Sequence, residues 1–219
     1  MRLKGLLQSS LFAAVLCVVG SQQAPASIGP SLIQQDRSIP ILGVTLSERG
    51  PVGIVAKIDL HFEERPDRSG LMVMFVTGAG KFSPKAQTSV QQALYRAARA
   101  AKISTDSWTV RLSAPQDVTV YGDSLSAMIA LTVIAIVKQE PIVEDHVITG
   151  GITPEGQISK VGGLSLKIAA AKAAHIRRVV VSDEVDPTEG DWPIPFLMQV
   201  SPVRSIHQAY LALTGHQLN

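Results

Sequence analysis

The sequence predicts a mixed α/β fold, α+β in composition, packed around one core. The chain has 219 residues, of which 46% are hydrophobic and 17% charged, so it can form one sizeable core or two small ones. Segments with alternating or continuous apolar residues are interspersed with segments in which apolar residues recur every three or four positions. Strand and helix patterns therefore alternate, which favours one compact domain over residues 43–219.

The first 26 residues are typical of an export signal. Arg2 and Lys4 precede an apolar stretch from Leu6 to Gly20, and Ala24-Pro25-Ala26 supplies the small residues of a cleavage site. As a helix, this stretch would reach about 22 Å, less than the roughly 30 Å of a bilayer core. We therefore predict a signal peptide at residues 1–26 and a periplasmic or secreted protein. An uncleaved N-terminal membrane anchor is the alternative.

Charge and cysteine content argue against several classes of function. Without Arg2 and Lys4, 18 basic residues balance 18 acidic ones, whereas nucleic-acid binding usually requires a basic surface. The single cysteine, Cys17, lies within the predicted signal, so a processed chain has no disulfide, thiolate nucleophile or cysteine-bound metal. The five histidines lack metal-binding spacing. We predict no metal, no cofactor and no nucleic-acid partner.

The first half of the chain predicts strands followed by a helix. Residues 27–42 mix Pro, Ser and Gln and are predicted to form a linker or irregular lead-in. Strand patterns compatible with a meander follow at residues 43–50, 53–64 and 71–78. Apolar residues then take helical spacing from Ser83 to Lys102, with Ser83 as N-cap and Pro84 as the first helical residue.

The second half alternates strands with helices. A strand at 108–115 precedes an apolar helix at 126–139, which we expect to be buried on nearly every face. An acidic, proline-containing loop is expected at 183–195. The remaining patterns predict strands at 146–150, 177–182 and 196–203, and helices at 165–174 and 205–215, the last ended by Gly215.

Two positions in these predicted elements combine residue types that can perform chemistry together. Ser126 follows a short polar turn at the start of the apolar helix, and Lys167 lies among apolar residues at the start of a later helix. A serine nucleophile needs a base at neutral pH, and a lysine can serve only when neutral. Burial lowers a lysine pKa from about 10.4, by about 3 to 5 units at most. Taken alone, each residue also fits a structural role, as a capping serine or a surface lysine.

The sequence around these residues resembles the proteolytic domain of Lon proteases. The run Asp123-Ser124-Leu125-Ser126-Ala127 is similar to the family's nucleophile motif Asp-Gly-Pro-Ser-Ala-Gly. TGGITPEGQI at 149–158 and VGGLSLK at 161–167 are similar to Thr-Gly-Glu-Ile-Thr-x-x-Gly-x-Val and Ile-Gly-Gly-Leu-x-x-Lys. The order and spacing agree, over roughly residues 43–214. Three positions differ from the family motifs. Leu125 replaces the proline before the serine, Met128 replaces the glycine after Ser-Ala, and Gly151 replaces the acidic residue after Thr-Gly.

The resemblance implies a compact α/β serine peptidase acting on polypeptides. Ser126 would be the nucleophile and Lys167 the general base. Thr149 would hydrogen-bond the lysine amine and orient it, and Asp123 would shape the turn beside the nucleophile. Backbone N–H groups at the helix start could hold an oxyanion. Nearby serines, among them Ser124 and Ser159, are interpreted as turn or cap residues, with Ser124 as the nearest rival nucleophile.

The resemblance also bears on ATP. Lon-type enzymes couple this domain to an ATPase module, for which 219 residues leave no room. The run Gly78-Ala79-Gly80-Lys81-Phe82 superficially resembles a phosphate-binding loop, but Phe75 and Phe82 stand where that loop needs Gly and Ser or Thr. We therefore expect ATP-independent hydrolysis, or hydrolysis driven by a partner protein that replaces the ATPase.

The sequence is compatible with more than one oligomeric state and with functions other than catalysis. The resemblance implies rings of subunits as one option, and hence a homo-oligomer. The alternative to an enzyme is a catalytically inactive Lon-like domain that binds peptides or a partner. A purely structural α/β domain would place Lys167 far from Ser126.

Overall fold

The structure, a computed structural model, describes residues 32–184 and 195–219. The predicted signal peptide at 1–26 and most of the predicted acidic loop at 183–195 lie outside the described residues. Within those residues, helices and strands alternate and confirm the predicted mixed α/β class. No helix in these two ranges is long and apolar enough to cross a membrane.

The described residues form eleven strands and four helices. The strands are β1 (Gln34–Ser47), β2 (Gly50–Glu64), β3 (Met72–Phe75), β4 (Lys81–Phe82), β5 (Trp108–Ser113), β6 (Thr119–Val120), β7 (His146–Ile148), β8 (Gly151–Ile152), β9 (Ile158–Ser159), β10 (Arg178–Ser182) and β11 (Gln199–Val203). The helices are α1 (Pro84–Ala100), α2 (Ser126–Val137), α3 (Leu164–Ala173) and α4 (Ile206–Thr214).

A long hairpin of β1 and β2 begins the largest sheet. Its strands pair antiparallel from Gln34 opposite Glu63 to Ser47 opposite Gly50. The inward face of β2 buries every second residue, as a strand with one solvated face should: Ala56, Ile58, Leu60 and Phe62. The predicted irregular lead-in is therefore wrong for residues 34–42, which form the first part of β1. The Pro and polar residues of this segment give no strand pattern in the sequence, and pairing with β2 stabilises the strand.

The sheet order is β1-β2-β5-β3, so the predicted meander is also wrong. Strand β3 pairs with β5 in parallel and does not pair with β2. Parallel neighbours need a crossover connection, and α1 lies between β3 and β5 in the chain. The N-cap of α1 is as predicted, since the Ser83 hydroxyl accepts a hydrogen bond of 3.2 Å from the N–H of Ala86.

Helix α2 lies at the centre of the core. Every residue from Ser126 to Ile136 is buried, which confirms the expected burial on nearly every face. Helix α1 packs against α2, and α3 packs against the β1–β2 hairpin. Helix α4 packs against a parallel sheet of order β11-β10-β7. Strands β8 and β9 form a short antiparallel ribbon.

Candidate active site

The turn before α2 holds Ser126 through main-chain hydrogen bonds. The Ser126 N–H donates to the carbonyl oxygen of Asp123 at 2.9 Å and closes a tight turn. No side chain caps this helix at Leu125. Instead, the Ala127 N–H donates to the carbonyl of Gly150 at 3.1 Å. The two N–H groups nearest the serine, candidates for an oxyanion hole, are therefore engaged by main-chain carbonyls in this structure.

The segment from Thr149 to Gly151 connects this turn to the parallel sheet. The Gly150 N–H donates to the carbonyl of Ser124 at 2.8 Å, so Gly150 bonds the turn through both its N–H and its carbonyl. The Thr149 N–H donates to the carbonyl of Val180, on β10, at 3.0 Å. The turn is consequently fixed to strand β10 through only two residues of intervening chain.

Lys167 lies in the first turn of α3 and reaches this segment. Its side-chain nitrogen donates a hydrogen bond of 3.2 Å to the hydroxyl oxygen of Thr149. Lys167 is 4% exposed, and Thr149 is fully buried. The structure therefore brings the lysine and the threonine singled out in the sequence into direct contact.

The hairpin fixes α3, and with it Lys167. A Cβ added at Gly53 in β2 would lie 1.9 Å from the carbonyl oxygen of Leu166, the residue before the lysine. A Cβ at Gly163 would lie 2.7 Å from the side chain of Val44 in β1. Gly163 also has a φ of +67°, a conformation that favours glycine. Two glycines thus allow the hairpin to contact the first turn of α3 directly.

Asp123 and Ser126 lie beside the same segment. A Cβ added at Gly151 would be 3.7 Å from the Cβ of Asp123 and 3.7 Å from the Oγ of Ser126. Of the four predicted site residues, Thr149 therefore belongs to the segment at 149–151, and Asp123, Ser126 and Lys167 lie beside it. Ser126 itself is 1% exposed.

A cleft of about 330 Å³ opens next to these residues. Asp123, Ser124 and Lys167 line it, whereas Ser126 does not. Its apolar walls come from the hairpin, from the β6 region and from the turn before α2, and include Ile41, Leu42, Ile54, Val118, Val120 and Leu125. Tyr121, 73% exposed, and the exposed Lys160 also line the cleft.

Met128 does not narrow this cleft. Although it replaces a glycine of the motif, its side chain is 1% exposed and belongs to the core cluster. Leu125, which replaces the motif's proline, is 2% exposed and lines the cleft. Of the two departures beside Ser126, only Leu125 therefore contributes to the cleft surface.

One contact that sequence reasoning missed at the site is made by a side-chain hydroxyl. The N–H of Gly151 donates to the hydroxyl oxygen of Ser159 at 3.0 Å. The sequence predicts only a turn or cap role for Ser159, because the contact depends on the pairing of β8 with β9, which motif spacing does not reveal. In the described ranges, no group of three or more His, Cys, Asp or Glu side chains could hold a metal ion.

Curated relatives of the chain are Lon proteases. It is 30% identical to an archaeal Lon protease of Methanocaldococcus jannaschii over 91 residues, which cover 40% of this chain and 13% of that protein. It is 32% identical to the one of Archaeoglobus fulgidus over 90 residues, 41% of this chain and 14% of that protein. It is 25% identical to the Lon protease of Fervidobacterium nodosum over 182 residues, which cover 77% of this chain and 21% of that protein. The chain thus spans a small part of the length of these relatives.

A protein-family model gives the broader match. The model of the Lon protease (S16) C-terminal proteolytic domain matches residues 78–209, more than half of the chain. The matched range contains the turn before α2, the segment at 149–151 and Lys167. The chain therefore belongs to the Lon protease (S16) C-terminal proteolytic domain family.

Proposed function

We propose that the protein is an ATP-independent serine endopeptidase that works outside the cytoplasm, with Ser126 as nucleophile and Lys167 as general base. The observation that carries the proposal is the buried hydrogen bond between Lys167 and Thr149, beside the turn that holds Ser126. Removal of an amine from water disfavours its charged form, and a neutral amine can accept a proton. Family membership supports the same chemistry.

The proposed reaction passes through an acyl-enzyme. Lys167 accepts the hydroxyl proton of Ser126 while the serine oxygen attacks the carbonyl carbon of the peptide bond. The C–N bond then breaks, and Lys167 returns the proton to the leaving amine. In the second half, Lys167 takes a proton from water while the water oxygen attacks the acyl carbon. The ester bond to Ser126 then breaks, and Lys167 returns the proton to the serine oxygen, which regenerates the hydroxyl and the neutral amine. Thr149 keeps the lysine nitrogen directed toward the serine.

This mechanism requires the site to open when a substrate binds. Ser126 is 1% exposed, and its N–H and that of Ala127 are bound to carbonyls. The neighbouring cleft, which reaches Lys167 and Leu125, is the proposed entrance. Its apolar walls suit an apolar side chain of the substrate. A small shift of the turn at 123–126 would expose the serine to a peptide bound there.

Several observations support the other parts of the proposal. The basic, apolar and small-residue pattern of residues 1–26 supports export to the periplasm or secretion. The defective phosphate-loop motif at Gly78 supports hydrolysis without ATP bound to these 219 residues. A homo-oligomer and a partner protein that drives substrate delivery are compatible with the proposal.

The second candidate function is a catalytically inactive module that binds peptides or a partner. The covered hydroxyl of Ser126 favours it, as does the glycine at position 151 where the Lon motif has an acid. This module would use the same cleft, but it would form no covalent intermediate.

Hydrolysis of fluorescently labelled, denatured casein without ATP separates the two candidates. The variants are Ser126→Ala and Lys167→Met, with Ser124→Ala as the matched control because Ser124 lines the cleft two residues away. The enzyme predicts hydrolysis by the wild type and by Ser124→Ala, and loss of at least about a thousandfold in the other two. Equal hydrolysis by wild type and Ser126→Ala, at an unchanged unfolding temperature, would exclude the proposed nucleophile. Casein binding without hydrolysis would favour the inactive module.

A further inference from the structure

We infer that Ser159 is a positioning residue of the proposed peptidase, whose hydroxyl fixes the main chain of Gly151 beside the nucleophile Ser126. The inference rests on the proposed function. Ser159 and Gly151 are directly opposite each other in the antiparallel ribbon of β8 and β9. The Gly151 N–H donates to the Ser159 hydroxyl oxygen at 3.0 Å, which is ordinary hydrogen-bond geometry.

The serine hydroxyl occupies space that a side chain at position 151 would need. A Cβ added at Gly151 would lie 2.7 Å from the Oγ of Ser159, closer than atoms in van der Waals contact. The same Cβ would lie 3.7 Å from the Oγ of Ser126. The hydroxyl of Ser159 and the backbone of Gly151 therefore form a tight pair directly next to the proposed nucleophile.

This pair stands where the chain departs from the Lon motif. The motif places an acidic residue after Thr-Gly, whereas this chain has Gly151. The glycine brings no polar side chain, and a hydroxyl from the neighbouring strand lies in the adjacent space. Ser159 thus supplies a polar group near the nucleophile that position 151 itself lacks.

The strand that carries Ser159 is held from two sides. The Ser182 hydroxyl, at the end of β10, donates to the carbonyl of Ile158 at 2.8 Å. The N–H of Ile158 donates to the carbonyl of Arg204 at 2.8 Å. Both main-chain groups of Ile158 are therefore hydrogen-bonded, which holds the adjacent Ser159 in place. The Ser159 hydroxyl can then fix the position of the Gly151 N–H.

The effect of this anchor passes to the site through adjacent residues. Gly150 bonds both Ser124 and Ala127, on either side of Ser126, and Thr149 bonds Lys167. Loss of the Ser159 hydroxyl releases one end of this segment and loosens the alignment of serine with lysine. We therefore expect slower acylation, with substrate affinity nearly unchanged because Ser159 does not line the cleft.

The test measures the rate at which a fluorophosphonate probe modifies Ser126 from pH 6 to pH 10, with the adduct located by mass spectrometry. We expect Ser159→Ala to slow labelling about tenfold, as expected for loss of one partner of a hydrogen bond in a site, and to shift the pH of half-maximal rate. Ser159→Thr keeps a hydroxyl and should restore most of the rate. Ser113→Ala, on strand β5 and outside the lining of the cleft, is the matched control and should label like the wild type.

A second pair of variants tests the contact independently. Gly151→Ala should slow labelling because its methyl group meets the Ser159 oxygen, and addition of Ser159→Ala should relieve that clash. The double variant should therefore be no slower than Gly151→Ala alone. A double variant slower by the product of the two single effects would overturn the inference.

The failures of the two ideas are distinguishable. A folded wild type that never forms an adduct at Ser126 overturns the proposed function. A wild type labelled at Ser126, with equal rates and equal pH profiles for Ser159→Ala, overturns the inference about Ser159 and leaves the peptidase proposal standing.

Discussion

The side-chain nitrogen of Lys167 donates a hydrogen bond of 3.2 Å to the hydroxyl of Thr149, across 18 positions of the chain. Thr149 is itself bonded through its N–H to Val180 of the parallel sheet. The lysine side chain is therefore oriented by a strand of the core. The same short segment holds the turn of Ser126, so one piece of main chain sets the positions of both proposed catalytic groups.

Replacement of Thr149 by valine tests this orienting role. The change nearly preserves shape but removes the hydroxyl that accepts the bond from Lys167. We expect peptide hydrolysis to fall about tenfold or more in kcat, with a small change in KM, since loss of a hydrogen-bond partner costs about 1 to 3 kcal/mol. The matched control is Thr132→Val, because the buried hydroxyl of Thr132 donates a hydrogen bond to the carbonyl oxygen of Met128 in its own helix. Similar kcat values for both variants would refute the role of Thr149.

Replacement of Met128 by alanine tests whether this departure from the motif belongs to the core. Met128 is 1% exposed in α2, so truncation should leave a cavity and lower the free energy of unfolding by about 2 to 5 kcal/mol. We expect no gain in hydrolysis, because the side chain does not line the cleft. Urea unfolding gives the stability, with replacement of the exposed Met74 of β3 by alanine as the control. A stable variant with faster hydrolysis would show that Met128 obstructs the site.

Replacement of Gly53 by alanine tests the close contact between the hairpin and α3. The new methyl group would lie 1.9 Å from the carbonyl of Leu166, so the helix that carries Lys167 must shift. We expect a loss of about 1 to 3 kcal/mol of stability, together with slower fluorophosphonate labelling. Gly78→Ala is the control, because its nearest contact would be an ordinary 3.6 Å. Wild-type stability and labelling in Gly53→Ala would disprove the contact.

The pH dependence of stability tests the environment of His146 on β7. Burial, aided by the positive charge of Arg178, lowers the pKa of His146 below its ordinary value of 6.5. The folded protein therefore keeps this ring neutral while the unfolded chain binds a proton, so stability should fall as the pH drops below about 6.5. Urea unfolding at pH 7.5 and pH 5 should show a smaller loss in His146→Gln than in the wild type. A larger or equal loss in the variant would be inconsistent with this account.

Local patterns predicted the elements with strong periodicity or caps. The N-cap at Ser83 and the buried helix that begins at Ser126 both follow from features within a few residues. The positions of Ser126 and Lys167 near the starts of helices could be predicted from such local features as well. Patterns failed where pairing with a distant segment decides the structure: β1 is a strand because β2 lies beside it, and β3 pairs with β5 because α1 provides the crossover.

The candidate site was predictable only in part. Ser126, Lys167, Thr149 and Asp123 could be named from motifs, because the order of these residues in the chain is characteristic. The contact of Ser159 with Gly151 could not, since it depends on the register of β8 and β9. The engagement of the Ala127 N–H by Gly150 was equally hidden, because it joins the first turn of α2 to a loop distant in sequence.

The most direct test of the central claim is to locate the adduct that a fluorophosphonate probe forms with the folded protein. Tryptic mass spectrometry of wild type, Ser126→Ala, Lys167→Met and Ser124→Ala identifies the modified residue. The account predicts a single adduct on Ser126, present in Ser124→Ala and absent from the other two variants. An adduct on Ser124, or one that persists in Ser126→Ala, would contradict it.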